Sequence, residues 1–419
     1  MVTYIGAADA ARRLGVKPAT LYAYVSRGTL RRERSADGRT SLFDADEIEK
    51  LARRGRPRRP ADALDLTVES RLTQLTQDGP LYRGHDALEL ARARSFEDVA
   101  ELLWTGVLPQ TETAGTLAWH APEAALATGR SVQAVLPAGI LPLERLQVIV
   151  PAMAVTDPLR LRLERPAVIA AGRAIIAGMV GCLPRATGGT DAEAGTASDA
   201  GTPWDEGAAP IADRLWDRLC RRRPSRALLR ALSAALVLLA DHELAASTLA
   251  ARTAASARAD PYAVVAAGLG AVSGPLHGGA SLGVETLLST ADDPASAPRV
   301  VGDMLRRGER IPGFGHSVYK GGDPRGRLLL GLVRSAAPGS RKLALADAII
   351  AEARRRALPE PNVDLALGTF TSAAGMDRGA GETIFAVART AGWTAHALEA
   401  YEAGTLLRPR ASYTGRSEP

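Results

Sequence analysis

From about residue 62 onward, Ala, Leu and Arg recur at helical spacing, and the apolar-polar alternation of a half-buried strand is scarce. A body built this way must be almost entirely helical. Its core then comes from helix faces packed on one another, and an apolar fraction of 46% in 419 residues suffices to fill a sizeable one. The longest apolar stretches, such as residues 227–240, are broken by Arg230 or stopped by Asp241-His242-Glu243. None reaches the roughly 20 residues of a membrane span, so buried helices and no membrane partner are expected.

The beginning of the chain has a different character. Residues 1–60 hold 14 Lys plus Arg against 7 Asp plus Glu, which accounts for the whole excess behind the net charge of +6. Such asymmetry suggests two functions in one chain, a basic module that could meet nucleic acid and a nearly neutral body. Residues 7–14 carry apolar positions at helical spacing, Gly15-Val16 turns the chain, and Pro18, favoured at a first helical position, opens a second helix through Val25. Strands at 30–34 and 40–43 bracket Ser-Ala-Asp37-Gly38, and Asp44 with Glu47 caps a third helix over 44–54.

The pattern YIGAADAARRLGVKPATLYAYVSRGTLRRE…GRTSLFDADEIEKL resembles the MerR/excisionase-like winged helix-turn-helix. The resemblance implies that residues 1–60 contact duplex DNA, through Lys17, Arg27, Arg31, Arg32 and the wing residue Arg39. A domain serving protein contacts or dimer packing is the alternative. The run RRGRPRRP that follows is a Pro-broken basic linker, either a solvated tether or a further phosphate contact. A second loose segment, 185–210, is rich in Gly, Ala, Thr and Asp and is expected as a surface loop.

The N-terminus lacks the charged-then-apolar pattern of a secretion signal, and the only cysteines are Cys182 and Cys220. A reducing cytoplasm with two buried free thiols fits both observations. Six histidines occur, and three stand in Gly-rich or charged contexts that core packing does not require. His242 lies in LADHELAAST, at or inside a helix between two carboxylates; His277 in SGPLHGGASLG; His316 in IPGFGHSVYKGGDPR. Flanking glycines let a ligand approach the backbone closely. The three lack the short ligand spacing and cysteine partners of a metal site, so no metal is expected.

In order, LTQDGPLYRGHDALELARARSFEDVAELLWTGVLPQ, DHE…GPLHGGA, GFGHSVYKGGDPR, PNVDLALG, FAVARTAGWTAHALE and LLRPRASYTG resemble the citrate synthase family. The match spans about residues 64–415, with DHELAAS where the family more often has HELNAS. The resemblance implies a mainly α citrate synthase fold preceded by the small winged helix-turn-helix domain. Its expected divisions are 1–52 for the winged domain, 53–61 for the linker, 62–280 with 368–419 for a large helical domain, and 281–367 for a small one. It further implies condensation of acetyl-CoA with oxaloacetate, as in the tricarboxylic acid cycle, by a homodimer or higher homo-oligomer without a cofactor.

By that resemblance Asp364 is the base, His277 stabilises the enol of acetyl-CoA, and His316 polarises the ketone. A thioester methyl is a very weak acid, so a carboxylate can remove its proton only if a donor meets the enolate oxygen as charge develops. Arg325, Arg389 and Arg408, with His242, are implied contacts of the oxo-acid, and planar guanidinium groups suit its carboxylates. Lys320 and, less closely matched, Arg310 are the implied CoA contacts. Two alternatives remain open: 2-methylcitrate synthesis from propionyl-CoA, and a DNA-binding regulator that keeps the fold as a metabolite sensor.

Overall fold

The structure, a computed structural model, describes residues 4–14, 16, 21, 24–25, 30–35, 40–45, 47–48, 67–110, 119–137, 139–186, 209–291, 293–411 and 415. The whole basic linker 53–61 and residues 187–208 of the loose segment 185–210 therefore lie outside the described residues, as do Lys17, Arg27, Arg39 and most of the second helix expected over 18–25. The chain divides into two compact units, Met1–Val68 and Glu69–Pro419.

In the first unit, the Ala7–Leu14 helix packs beside a three-stranded antiparallel sheet whose central strand is Ser41–Asp44. Tyr4–Gly6 pairs along one edge, with Ile5 opposite Phe43, and Glu33–Arg34 along the other. The Tyr4–Gly6 strand was not expected, and the strand expected over 30–34 shrinks to two residues. Leu30 instead turns into the core, where it meets Ala10, Ala11, Leu21, Phe43 and Ile48. Asp44 ends the central strand opposite Tyr4, and the helical residues Ala45, Glu47 and Ile48 follow it directly, where the third helix was expected to begin; residues 49–54 of that helix lie outside the described residues. Arg31 and Arg32 are exposed.

The second unit is organised around the 24-residue helix Ala380–Ala403, buried along nearly its whole length. Its sequence explains the position: alanine, glycine and threonine present a thin surface that several neighbours can approach. Phe96–Thr105, Arg165–Cys182, Arg226–Leu239, Ala246–Ser256 and Pro261–Val272 all pack on it. One contact shows how tight the fit is. A Cβ added to Gly268 would lie 2.6 Å from the fully buried indole of Trp393. Trp393→Ala would leave a cavity worth about 3–5 kcal/mol. The Arg165–Cys182 helix is apolar and 18 residues long, and it is a core element here, 67% buried inside the fold.

A second group of helices, Gly279–Ser289, Ala297–Arg306, Pro324–Ala336, Arg341–Arg355 and Val363–Ala374, packs mainly on itself. The departure from an all-helical body is a small antiparallel meander of Thr73–Thr76, Gly79–Tyr82 and His85–Asp86. Its tight turn at Gln77-Asp78 precedes the glycine of an Asp-Gly pair, a hairpin signal that helical periodicity overshadowed. The meander delivers Tyr82 to the interior, where its hydroxyl lies 3.0–3.2 Å from the carbonyls of Val237, Leu238 and Asp241. That contact gathers the carbonyls left unpaired at the end of the Arg226–Leu239 helix.

Candidate active site

Three separate loops bring the singled-out histidines together. His242, expected at or inside a helix, lies in the connection between Arg226–Leu239 and Ala246–Ser256, just beyond the end of the first. Tyr82 ends the first helix, and the Asp241 carboxylate accepts from Glu243 N at 3.2 Å. Glu243 has φ +55°, a left-handed conformation unusual for glutamate, so the chain cannot continue helically there.

His277 sits in the turn just before Gly279–Ser289, its N–H donating to Gly274 O at 3.0 Å. Its Nε2 is 2.7 Å from Ser247 Oγ. Trp393 Nε1 donates to the same hydroxyl at 3.3 Å, which orients Ser247 to give its own hydrogen to His277 Nε2. The imidazole then carries its proton on Nδ1.

His316 and Asp364 share one rigid frame. Gly315 N donates to Glu360 O at 2.8 Å, Asn362 N to Gly313 O at 2.9 Å, and Asn362 Nδ2 to Gly315 O at 2.9 Å. Gly313 has φ +79°, and a Cβ there would strike the backbone of Leu365 at 2.8 Å, so only glycine lets the two segments close. Asn362 Oδ1 caps the Val363–Ala374 helix by accepting from Asp364 N and Leu365 N, which puts Asp364 in its first turn.

His316 Nδ1 accepts from Val318 N and Tyr319 N at 3.0 and 3.2 Å, so its proton is on Nε2. Arg325 Nη2 lies 3.5 Å from that Nε2. Both groups are donors and cannot satisfy each other, so an acceptor placed between them would receive both hydrogens. The His242 ring stands 5.3 Å from the His316 ring, and its Nε2 is 3.3 Å from Tyr319 OH. Asp323 grips the Arg325 guanidinium through both carboxylate oxygens, at 3.1 and 2.8 Å, and also accepts from Val363 N at 3.2 Å. Arg389 lies over the Phe385 ring at 4.5 Å and donates from Nε to Leu239 O at 2.8 Å. Its Nη1 is buried with no hydrogen-bond partner among the described residues. The same Phe385 ring meets His277 at 5.5 Å.

Electrostatics follow from this packing. Burial, reinforced by Arg389, pushes His277 down to about 4. Burial with Arg325 lowers His316, and burial with Arg325, Arg389 and His316 lowers His242 well below its ordinary value. All three imidazoles are neutral near pH 7. Burial pushes Asp364 up to about 6, although Arg325 and Arg389 pull the other way. A helix N-terminus ordinarily favours a carboxylate by about 0.3–1 kcal/mol, and desolvation outweighs it here.

Lys320 and Arg310 are exposed on a cavity of 1020 Å³ that also takes in Leu276, Phe314, His316 and Tyr319. Lys320 Nζ donates to His316 O at 3.2 Å. Arg408 is not brought into the cluster by any described contact; it lies exposed beyond Gly404, where Leu407 N donates to Ser256 Oγ at 3.0 Å. Sequence reasoning missed Ser247, Tyr319, Asp323, Asn362 and Phe385. All five stand within the motifs already named, Ser247 in DHELAAS, Tyr319 and Asp323 in GFGHSVYKGGDPR, Asn362 in PNVDLALG and Phe385 in FAVARTAGWTAHALE, but their residue types alone did not mark them.

Neutral imidazoles and a half-buried carboxyl group gathered around two buried arginines are suited to acid-base chemistry on an anionic substrate. Residues 65–410 match the family described as citrate synthase, C-terminal domain, and residues 7–53 match the MerR HTH family regulatory protein description. Citrate synthase 2 of Bacillus subtilis (strain 168) is 30% identical over 374 residues, 84% of this chain and 94% of that protein. Citrate synthase of Haloferax volcanii is 34% identical over 379 residues, again 84% and 94%. A 2-methylcitrate synthase of Mycobacterium tuberculosis (strain ATCC 25618 / H37Rv) is 31% identical over 369 residues, 85% and 89%. Among solved structures, the ternary complex of Thermoplasma acidophilum citrate synthase with carboxymethyl coenzyme A and oxaloacetate aligns with TM-score 0.68 at 25% identity, covering 85% of this chain and 96% of that one. These similarities identify an acyltransferase that converts the acyl group to alkyl on transfer. The chain belongs to the citrate synthase family.

Proposed function

We propose that this enzyme condenses acetyl-CoA with oxaloacetate to give citrate and CoA. The observation that carries the reading is that neutral imidazoles and the half-buried Asp364 carboxyl gather around Arg325 and Arg389. Asp364 removes a proton from the thioester methyl while His277 Nδ1–H donates to the developing enol oxygen. A neutral donor is suited to this, since it meets the charge only as it forms. The enol carbon then attacks the keto carbon of the oxo-acid. His316 Nε2–H, with Arg325 beside it, donates to the ketone oxygen as it becomes an alkoxide. Water then cleaves the citryl thioester, releasing CoA and citrate.

Arg325, Arg389 and His242 hold the oxo-acid, and the buried unpaired Nη1 of Arg389 suits a substrate carboxylate. CoA occupies the cavity bearing Arg310 and Lys320, whose cationic groups suit its phosphates. The helices of 281–367 act as a small domain that closes over the substrates and excludes water, with 62–280 and 368–419 as the large domain. Two subunits associate, and Arg408 of each completes the other's site. The exposure of Val155, Leu159 and Leu161 at 60–72%, after the Pro142–Ala154 helix, supports an apolar contact face. Residues 1–60 bind duplex DNA through their basic side chains.

Propionyl-CoA is the competing acyl donor. One methylene changes pocket preference by about 1–3 kcal/mol, so the two thioesters should differ roughly 10- to 200-fold in kcat/KM. Thiol release from acetyl-CoA and from propionyl-CoA, each with oxaloacetate, tests the assignment. Faster turnover of propionyl-CoA would replace it with 2-methylcitrate synthesis, and no release from either would favour a sensor.

A further inference from the structure

Behind the site runs a line of buried polar groups that the mechanism above does not use. His396 is completely buried, one turn beyond Trp393 on the Ala380–Ala403 helix. Its Nδ1 lies 2.9 Å from Arg252 Nη1. A guanidinium only donates, so Nδ1 must accept and the ring hydrogen must be on Nε2. That Nε2 faces Oδ1 of Asp241 at 3.4 Å, an electrostatic approach, and neither buried atom makes a hydrogen bond to any other described residue. Arg252 is fixed in turn by Glu399 Oε2 at 2.8 Å and by Glu69 O at 3.0 Å, and Glu399 Oε1 accepts from Arg71 N at 2.8 Å.

The other end of the line reaches the substrate loop. Asp241 Oδ2 accepts from Glu243 N, the residue whose left-handed backbone turns the chain immediately after His242. Such a conformation in a non-glycine residue persists only where its surroundings hold it. Burial alone would drive Asp241 toward neutrality, yet His396 and Arg389 together bring it below the ordinary carboxylate range, so it stays an anion and a strong acceptor. Buried charges linked in this way contribute little stability compared with apolar packing, and setting a unique geometry is a role they serve better.

We propose that Asp241 and His396 are positioning residues for His242. Arg252 fixes the His396 tautomer, His396 Nε2–H holds Asp241, and Asp241 holds the Glu243 N–H that locks the turn presenting His242 to the oxo-acid. The inference rests on the reading that His242 contacts the oxo-acid.

The test measures oxaloacetate affinity of the full chain by calorimetry in two variants. His396→Gln keeps an N–H near the Nε2 position, whereas His396→Asn keeps only an acceptor near Nδ1. The expected result is oxaloacetate binding about tenfold weaker in His396→Asn and within about threefold of the parent in His396→Gln, with the KM for acyl-CoA unchanged in both. Equal affinities, or affinities that simply follow the melting temperatures, would overturn the positioning role. Should neither variant fold, Glu399→Gln at the outer end of the line serves instead: a roughly threefold weakening supports the inference and an unchanged affinity rejects it. A parent chain that does not bind oxaloacetate at all would overturn the oxo-acid reading together with this one, whereas a binding parent with indifferent variants overturns this one alone.

Discussion

Asp364→Asn separates catalysis from stability at a single atom position. In the proposed mechanism the substitution removes the base, and loss of a positioned proton acceptor costs typically 10²- to 10⁴-fold in turnover. It also removes a charge that the fold carries unwillingly. Burial holds the Asp364 carboxyl at about 6, whereas an unfolded chain would hold it near 3.9. Between those values the folded state binds more protons than the unfolded one, so this residue makes stability fall as pH rises through the window and stay reduced above it. At about 1.4 kcal/mol per pH unit the penalty at pH 7 is at most about 3 kcal/mol, and the partial exposure of the carboxyl together with its helix N-terminal position trims it to about 1–2. A neutral isostere recovers that amount. The variant should therefore be nearly inactive in thiol release and melt about 2 °C higher by calorimetry at pH 7, with the difference vanishing near pH 4.

The parent enzyme supplies a companion reading. With a base at about 6, kcat/KM should fall about tenfold between pH 7 and pH 5, where an ordinary aspartate would remain ionised. Turnover above a tenth of the parent value in Asp364→Asn would reject the base. A lower melting temperature at pH 7, or an acid limb displaced below pH 5, would refute the desolvation argument.

Arg325→Lys should raise the KM for oxaloacetate by about 10- to 100-fold with little change for acyl-CoA, because lysine cannot reproduce the bidentate grip of Asp323; steady-state kinetics with each substrate varied would check it. Residues 1–60 should shift duplex DNA weakly and with steep salt dependence, and absence of any shift at low salt by either the isolated segment or the full chain would leave the protein-contact reading. Mixing inactive Arg408→Ala with inactive Asp364→Asn subunits should restore about a quarter of parental activity, because random pairing makes half the dimers mixed and one site in each of those intact. No recovery after verified subunit exchange would place Arg408 in its own subunit's site or outside it.

What the sequence made legible was whatever a single segment encodes. Helical spacing anticipated the Arg226–Leu239 and Ala7–Leu14 helices, and the motif order identified the family and every histidine of the cluster. The meander was lost because it occupies so few residues amid helical periodicity that its Asp-Gly turn was the only signal. His242 could be placed only at or inside a helix for a related reason: the groups that end that helix, Tyr82 and the turn at Glu243, act through contacts that composition does not reveal. Ser247 and Phe385 gain significance only once the Ala246–Ser256 and Ala380–Ala403 helices pack beside the His277 turn. Arg389 by itself reads as one more arginine in an arginine-rich chain; its burial inside the protein makes it distinctive.

Charge state is the property least encoded locally, and it ties the order of binding to the chemistry. Arg325 and Arg389 converge from distant segments, lower His242 together, and pull Asp364 toward its ionised form. In the proposed mechanism both guanidinium groups are then met by the carboxylates of the oxo-acid. Once neutralised, they no longer restrain the Asp364 carboxyl, whose burial is undiminished, so its proton affinity rises. The base becomes stronger only when the oxo-acid is in place to be attacked. Closing the site strengthens the effect by removing solvent that would otherwise screen it. Enolisation of the thioester without an acceptor is suppressed by the same two residues that bind the acceptor. The acid limb should accordingly lie at higher pH in kcat, measured with oxaloacetate bound, than in kcat/KM for oxaloacetate, which reports the free enzyme.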